Sequence, residues 1–197
     1  MAGPMSGNRL DRREAVPALL GDVSGKLVIS GLAGPAQDVG AHTKETPNAF
    51  LLTGAMGAAV PMGLGVALAQ PDRQVLTVTG DGELLMNLGS LAVVGAMNPP
   101  NLSIVCVDNG AYGETGYQPS HTSRGVDLEA IARGAGIPLT MTVDGMDDIP
   151  AARDLLARED APVFVLLRVS TEPSARYKRS LDAVQRKNLF RDLLGGA

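Results

Sequence analysis

The chain is poor in cysteine, in aromatic residues and in net charge, and each scarcity excludes a class of protein. Its single cysteine, Cys106, cannot supply an internal disulfide, a thiolate zinc site or an iron–sulfur cluster. We therefore expect a reducing, cytoplasmic location. Because only 3% of the residues are aromatic, aliphatic side chains and methionine must fill the core. Cys106 lies in an apolar run, so we expect it to be an inert core residue.

Long apolar runs and an excess of basic residues are also missing. The 17 Lys and Arg against 21 Asp and Glu give a net charge of -4, so we expect neither nucleic acid nor a membrane as partner. The first 25 residues are interrupted by charge and glycine, unlike a secretory signal, and no later run approaches the ~20 apolar residues of a membrane span. We expect one domain over residues 1–197, with 1–25 and 172–197 as peripheral segments.

Short apolar runs alternate along the chain with segments whose apolar residues recur at helical spacing. The predicted strands are 27–29, 75–78, 104–107, 140–143 and 163–167, and the predicted helices are 10–20, 56–69, 84–97, 127–135, 147–158 and 180–194. This alternation predicts a doubly wound α/β fold, with a mainly parallel sheet and helices on both faces. Ligands bind such sheets at the carboxyl ends of the strands, so we expect the chemistry in the loops there.

Two of these loops carry oxygen-bearing side chains. The run 75–79 ends in Gly80-Asp81-Gly82-Glu83 before a helical pattern, and the next strand ends in Asp108-Asn109-Gly110. The 26 residues between Gly82 and Asn109 suit a strand–helix–strand crossover that brings Asp81 and Asn109 to the same edge. A carboxylate, a carboxamide oxygen and a backbone carbonyl suit Mg²⁺, which shares its oxygen shell with phosphates. The sequence thus predicts a site for Mg²⁺ and a diphosphate.

The same residues resemble a known family. Gly80-Asp81-Gly82 followed by Asn109 resembles the diphosphate motif of thiamine diphosphate enzymes, and the stretch 54–65 is similar to the segment that supports the cofactor rings. The loop 108–118 is similar to that of the thiamine diphosphate-dependent 2-oxoacid decarboxylases that include phosphonopyruvate decarboxylase and the beta subunit of sulfopyruvate decarboxylase. Nearly the whole chain resembles the diphosphate-binding domain of this family.

The resemblance implies roles for particular residues. Asp81, Asn109 and the Ala111 carbonyl would ligate Mg²⁺, and the N–H groups of Gly82 and Glu83 would bind the diphosphate. Met56 would support the bent cofactor, and the Gly54 carbonyl would accept a hydrogen bond from its amino group. The implied cofactor-binding residues are Gly54, Met56, Gly80, Asp81, Gly82, Glu83, Asn109, Ala111, Tyr112 and Gly113.

Two positions depart from the family pattern. The family often has Asn where this chain has Asp108, which leaves the ligand Asn109 intact, and it often has Ser or Ala in place of Glu83. A negative side chain beside a diphosphate is tolerable only if Glu83 points away or meets a cation.

Candidates for substrate contact follow the cofactor loop. Thr115, Gln118 and His121 lie where a substrate pocket or lid is expected, and for His121 a functional and a structural role remain open. Arg124 could bind an anionic group or be a surface charge. His42 has no supporting spacing, and we expect it in a solvated loop.

The resemblance also implies that this chain supplies half of an active site. In this family a glutamate that activates the cofactor belongs to a pyrimidine-binding domain, and 197 residues have room for one domain. We expect an alpha-type partner subunit, a heterotetramer or larger even-numbered assembly, and decarboxylation of a small anionic 2-oxoacid, such as phosphonopyruvate or sulfopyruvate, to an aldehyde. The alternatives are an acetolactate synthase-like carboligase, a subunit of a 2-oxoacid oxidoreductase and a noncatalytic binding or regulatory subunit.

Overall fold

Six parallel strands form the central sheet of the computed structural model, which describes residues 9–195. The strands are β1 (Leu27–Ser30), β2 (Ala49–Leu51), β3 (Val75–Gly80), β4 (Leu102–Asp108), β7 (Leu139–Val143) and β8 (Val163–Arg168), and a separate small hairpin consists of β5 (Ala111–Tyr112) and β6 (Gln118–Pro119). The order in the sheet is β2-β1-β3-β4-β8-β7, with every pair parallel. The predicted fold class is confirmed.

Eight helices connect the strands within the described residues. They are α1 (Arg12–Leu20), α2 (Gly34–Thr43), α3 (Ala59–Ala69), α4 (Asp81–Leu85), α5 (Gly89–Met97), α6 (Leu128–Gly134), α7 (Ile149–Leu156) and α8 (Ala183–Leu193). Between residues 9 and 195, none of the helices has both the length and the apolar character that a membrane crossing requires.

The helix predicted over 84–97 is wrong as a single helix, because the chain turns between α4 and α5. The amides of Met86 and Asn87 bond back only three residues, to Glu83 and Leu84, and the Asn87 side chain donates to the Gly57 carbonyl at 3.0 Å. This contact ties the turn to the loop that precedes α3. The sequence analysis also missed α2, whose glycines and proline obscure helical spacing, and β2, which has only three residues.

Side chains of the strands alternate between two cores. Val28 faces the core covered by α1, α2 and α7, whereas Leu27 and Ile29 face the core covered by α3, α5, α6 and α8. In α1, Ala15, Val16 and Leu19 are buried in the first core, so this part of the segment 1–25 is not peripheral.

The C-terminal helix α8 packs at the β2 edge of the sheet. Buried Arg186 donates hydrogen bonds to the carbonyls of Glu45, Thr46 and Ala49, the last at 2.8 Å. The ring of Phe190 lies 5.7 Å from that of Phe50, centre to centre. The segment 172–197, which we expected at the periphery, therefore contributes buried contacts through this helix.

Helix α5 approaches the C-terminal end of α6 closely, and this contact permits a stability test. A methyl group on Gly95 would overlap the Ala135 carbonyl oxygen, whereas one on Gly89 of the same helix would meet open space. We expect Gly95→Ala to lower the free energy of unfolding by about 2 kcal/mol or more, since backbone cannot yield as a side chain can. Gly89→Ala should change it by less than about 0.5 kcal/mol. Urea unfolding of both variants measures the difference, and equal stability would contradict the packing.

Candidate functional site

A cleft of about 270 Å³ opens at the carboxyl end of the sheet. It lies at the point where the strand order reverses, between the loop after β1 and the loop after β3, which is where doubly wound sheets bind ligands. Nine of the ten predicted cofactor-binding residues line it, namely Met56, Gly80, Asp81, Gly82, Glu83, Asn109, Ala111, Tyr112 and Gly113. Gly54 is exposed and lies outside this lining.

Two carboxylates meet where β3 and β4 end. The register pairs Gly80 with Val107, so Asp81 and Asp108 follow at neighbouring strand ends. The Thr122 hydroxyl lies 2.7 Å from Oδ1 of Asp108 and 3.2 Å from Oδ2 of Asp81. Buried Ser120 also donates its hydroxyl to Asp81. These hydroxyl groups fix the orientation of both carboxylates.

The negative charge at this edge is not balanced within the described part of the chain. Burial, together with the nearby Asp108 carboxylate, raises the pKa of Asp81 to about 6. Burial also raises the pKa of Glu83, and no lysine or arginine among residues 9–195 forms an ion pair with Asp81, Asp108 or Glu83. Since clustered buried carboxylates are unfavourable without a counter-charge, this arrangement favours a bound cation.

The loop after β4 brings further oxygen atoms to the cleft. Gly110 adopts a left-handed conformation with φ +70°, and its N–H donates to Asp108 at 2.9 Å. The Asn109 side-chain oxygen accepts from the Ala111 N–H at 3.1 Å, and this oxygen retains a second lone pair for a metal. A Cβ on Gly82 would lie 2.5 Å from the Tyr112 ring, so only glycine permits this approach.

The carboxylate of Glu83 is directed toward the end of β1. The side chain is buried, accepts a hydrogen bond from the Thr79 hydroxyl at 3.1 Å and packs against the backbone of Gly31. We predicted that a negative side chain is tolerable here if it points away from the diphosphate or meets a cation. The orientation of Glu83 toward the end of β1 meets the first of these conditions.

The predicted substrate residues are only partly brought together. Thr115 lines the cleft, and its hydroxyl donates to the Gln118 side chain at 2.7 Å. Gln118, His121 and Arg124 are exposed and, within the described chain, are not part of the cleft wall. Their proposed contact with substrate would need a partner or a movement of the loop.

His42 is not a solvated loop residue, contrary to our expectation. It lies in α2, is half-buried, and its Nε2 atom is 2.7 Å from the Gly21 carbonyl oxygen. Cys106 is fully buried, and burial raises the pKa of its thiol well above the usual value, which agrees with an inert core residue.

Sequence reasoning missed Ser120 and Thr122, which hold the two aspartates. The signal was present as hydroxyl residues on both sides of His121, but the short 3-10 helix Thr122–Arg124 that begins there is not apparent from the sequence. Also missed was the part of the cleft wall after β1, which consists of Leu32 and Ala33 in the loop and Pro35 in α2, because α2 was not predicted.

Comparison with known proteins identifies the family of this chain. The family model for the thiamine pyrophosphate enzyme, C-terminal TPP binding domain, matches residues 38–167. The chain belongs to the thiamine pyrophosphate enzyme family. Thiamine diphosphate, the same cofactor under its other name, is therefore confirmed as the ligand class that we predicted.

Three relatives of this thiamine pyrophosphate domain are informative. Sulfopyruvate decarboxylase subunit beta of Methanocaldococcus jannaschii is 40% identical over 123 residues, which cover 62% of this chain and 64% of the relative. The subunit of the same name from Methanothermobacter thermautotrophicus is 37% identical over 79% of this chain and 80% of the relative. Phosphonopyruvate decarboxylase of Streptomyces viridochromogenes is 43% identical over 61% of this chain but 30% of the relative. The chain thus spans less than two thirds of the first and of the last.

A solved structure agrees with the family at the level of fold. The thiamine diphosphate-dependent 4-hydroxybenzoylformate decarboxylase of Rhodococcus jostii RHA1 superposes with a TM-score of 0.63 at 23% identity, over 85% of this chain and 34% of that chain.

The donor set of the thiamine pyrophosphate domain fits a magnesium diphosphate. Asp81 and Asn109 line the cleft with side-chain oxygen atoms, and Gly82 also lines it without a side chain of its own. No group of three His, Cys, Asp or Glu side chains within residues 9–195 could hold a metal alone. Mg²⁺ with several ligands from phosphate and backbone matches this limited set.

The hydroxyl between the aspartates provides a test of this fit. Thr122→Val removes it with little change in shape, and we expect Mg²⁺ to bind about tenfold more weakly with thiamine diphosphate present, because groups that orient metal ligands contribute on this scale. Isothermal titration with Mg²⁺ measures the change. Thr140→Val is the matched control, since it removes a hydroxyl that donates to Glu129 at 3.0 Å outside the cleft. Equal affinity in both variants would contradict the role of Thr122.

Proposed function

We propose that this chain is the cofactor-binding, beta-type subunit of a thiamine diphosphate-dependent 2-oxoacid decarboxylase. The observation that carries the proposal is the cleft itself, in which Met56, Asp81 and Asn109 come together from three separate loops. The likeness to two beta subunits of sulfopyruvate decarboxylase supports it. The cofactor supplies, when bound, a nucleophilic carbon and a sink for the electrons left by departing CO₂.

The predicted cofactor-binding residues have distinct proposed roles in holding this cofactor. Asp81, Asn109 and the Ala111 carbonyl bind Mg²⁺, and the N–H groups of Gly82 and Glu83 bind the diphosphate. Met56, which lines the cleft and is 40% exposed, supports the bent conformation.

The remaining proposed positions surround that site. Gly80, Tyr112 and Gly113 shape the wall on either side of the diphosphate. Gly54 offers its carbonyl to the amino group of the cofactor. Thr115, with Gln118 and His121 beyond it, faces the substrate once the site is complete.

The proposed substrate is a small anionic 2-oxoacid such as sulfopyruvate or phosphonopyruvate, as the names of the relatives suggest. Among described residues that line the cleft, Arg12 is the one cationic side chain, and its Nη2 atom is 2.5 Å from Asp38. Because Arg12 is already paired, we propose that the partner subunit contributes the cation that binds the acid group of the substrate.

The proposed partner is an alpha-type subunit that also supplies the activating glutamate. An exposed apolar surface supports an assembly, and we define this α3–α5 face by Leu68, Met86, Val93 and Met97, each between 47% and 64% exposed. The helices α3 and α5 contain no charged residue and are apolar all round, which is typical of helices buried on both sides. We propose a heterotetramer or larger even-numbered assembly in the cytoplasm.

Copurification and product analysis test this function. The tagged chain is purified from its own cells with Mg²⁺ and thiamine diphosphate, and native mass spectrometry reports its partners and bound cofactor. The complex is then given sulfopyruvate, phosphonopyruvate and pyruvate. We expect a second subunit, bound cofactor and an aldehyde with CO₂ from an anionic substrate; a cofactor-free homo-oligomer would favour a noncatalytic subunit.

A carboligase is the second candidate, because acetolactate synthase isozyme 1 large subunit of Escherichia coli is 28% identical over 68% of this chain. The same assay separates the two reactions. An acyloin-type product that needs a second carbonyl compound would replace decarboxylation to an aldehyde as the proposed reaction.

A further inference from the structure

The buried carboxylate of Glu83 lies where three loops of the cleft converge. Its side chain belongs to a residue that is 5% exposed, and Oε2 accepts the hydrogen bond from Thr79 at 3.1 Å. Burial raises the pKa of Glu83, and the nearby backbone N–H groups of Gly80, Leu32 and Gly57 partly offset this effect. These amides come from the end of β3, the loop after β1 and the loop before α3, respectively.

The end of β1 is shaped to receive this side chain. A Cβ on Gly31 would overlap Oε2 and the carboxyl carbon of Glu83, so the carboxylate occupies the space that any other residue would fill. Oε1 is fully buried, and no described donor reaches hydrogen-bonding geometry with it. The carboxylate is thus held through Oε2, by the Thr79 hydroxyl and by packing against Gly31.

All three of these segments contribute residues to the wall of the cleft. Gly57 follows Met56 directly, and Leu32 belongs to the wall of the cleft. A charged acceptor that attracts both amides restrains the separation of these loops. Without it, the space beside Gly31 would be empty, the Thr79 hydroxyl would lose its acceptor and the nearby amides would lose a negative neighbour.

We propose that Glu83 is a positioning residue, which holds the loops 31–34 and 53–58 at the spacing that the cofactor cleft requires. The inference rests on the proposed function only for the identity of the ligand. Glu83 acts through these loops, and its carboxylate turns away from the position where its own N–H would face a diphosphate.

Hydrogen exchange in the full chain without cofactor tests this role. We expect Glu83→Ala to accelerate amide exchange in peptides that cover 31–34 and 53–58 by about tenfold or more, because local opening no longer breaks contacts to a charged acceptor. Glu83→Gln should give an intermediate increase, since its amide can accept from Thr79 but presents N–H groups to the backbone donors. Glu114→Ala is the control, because it removes another carboxylate of the cleft wall that makes none of these contacts.

A double substitution tests whether the side chain occupies the space beside Gly31. Gly31→Ala should accelerate exchange in the same loops, but it should add little in the Glu83→Ala background, where the overlap is gone. Additive effects of the two substitutions would overturn the proposed packing.

Cofactor titration separates this inference from the proposed function. If Glu83 has the proposed role, the Glu83→Ala and Glu83→Gln variants bind thiamine diphosphate and Mg²⁺ more weakly in the same order as their exchange increases. If the Glu83 variants change the exchange as expected but the unsubstituted complex binds no cofactor, the proposed function is contradicted. The positioning role of Glu83 is then still supported. Unchanged exchange in a folded Glu83→Ala variant overturns the inference. If Glu83→Ala does not fold, unchanged exchange in Glu83→Gln overturns it instead.

Discussion

Asp81→Ala is expected to abolish magnesium-dependent cofactor binding and to lower the activity of the assembled enzyme by about 1,000-fold or more. Groups that merely orient a metal ligand contribute about 10- to 100-fold, so a direct ligand should contribute more. Asp81 also has no obvious substitute, because neighbouring Asp108 is held by Thr122 and the Gly110 N–H. Calorimetric titration and a CO₂ release assay measure both effects.

The loss should not arise from unfolding, and the stability of Asp81→Asn tests this. Burial and the Asp108 charge raise the pKa of Asp81 from 3.8 to about 6, so the folded state disfavours the charged form. In the metal-free chain, the free energy of unfolding therefore falls as the pH rises from about 4 through 6. Well below pH 4 the effect is absent, because the carboxyl group is neutral in both the folded and the unfolded state. Asp81→Asn should therefore be at least as stable as the unsubstituted chain at pH 8 in EDTA. Urea unfolding across this pH range checks the sign.

A matched surface variant completes the experiment. Asp72→Ala removes an exposed aspartate that lies outside the cleft, and it should leave cofactor binding and activity unchanged. Full activity of Asp81→Ala in the complex would contradict a catalytic magnesium site and would favour a noncatalytic binding subunit.

Much of this architecture follows from short-range patterns in the sequence. Five strands were predictable because buried parallel strands are continuous apolar runs, as in Val75–Gly80 and Val163–Arg168. The rule that ligands bind at the carboxyl ends of strands then placed Asp81 and Asn109 together, and both line one cleft. Local chemistry and topology were sufficient for this step.

Features that depend on distant contacts could not be predicted in the same way. The break before α5 is associated with a hydrogen bond between Asn87 and Gly57, which lie 30 positions apart. The burial of Ser120 and Thr122 follows from the hairpin that folds back over Asp81 and Asp108. Likewise, Gly31 follows β1 and Glu83 comes shortly after β3. The local sequence around either residue does not predict their contact.

The largest effect outside the cleft is expected for Val93→Asp on the α3–α5 face. Val93 is 51% exposed on a helix without charged residues, so the chain itself should tolerate aspartate there. In an assembled interface the same carboxylate would lose its water without gaining a partner, at a cost of several kcal/mol. We expect the partner subunit to bind about 100-fold more weakly or not at all, as for substitutions at the centre of interfaces.

Val184→Asp is the control for this effect, because it introduces the same charge at a valine that is 65% exposed on α8. Thermal unfolding of each isolated variant should match the unsubstituted chain, and native mass spectrometry should then show partner loss for Val93→Asp alone. Loss of the partner only in Val184→Asp would move the interface to α8. Since α3 directly follows the loop that carries Met56, we propose that the partner seated on the α3–α5 face is also the subunit that completes the cleft.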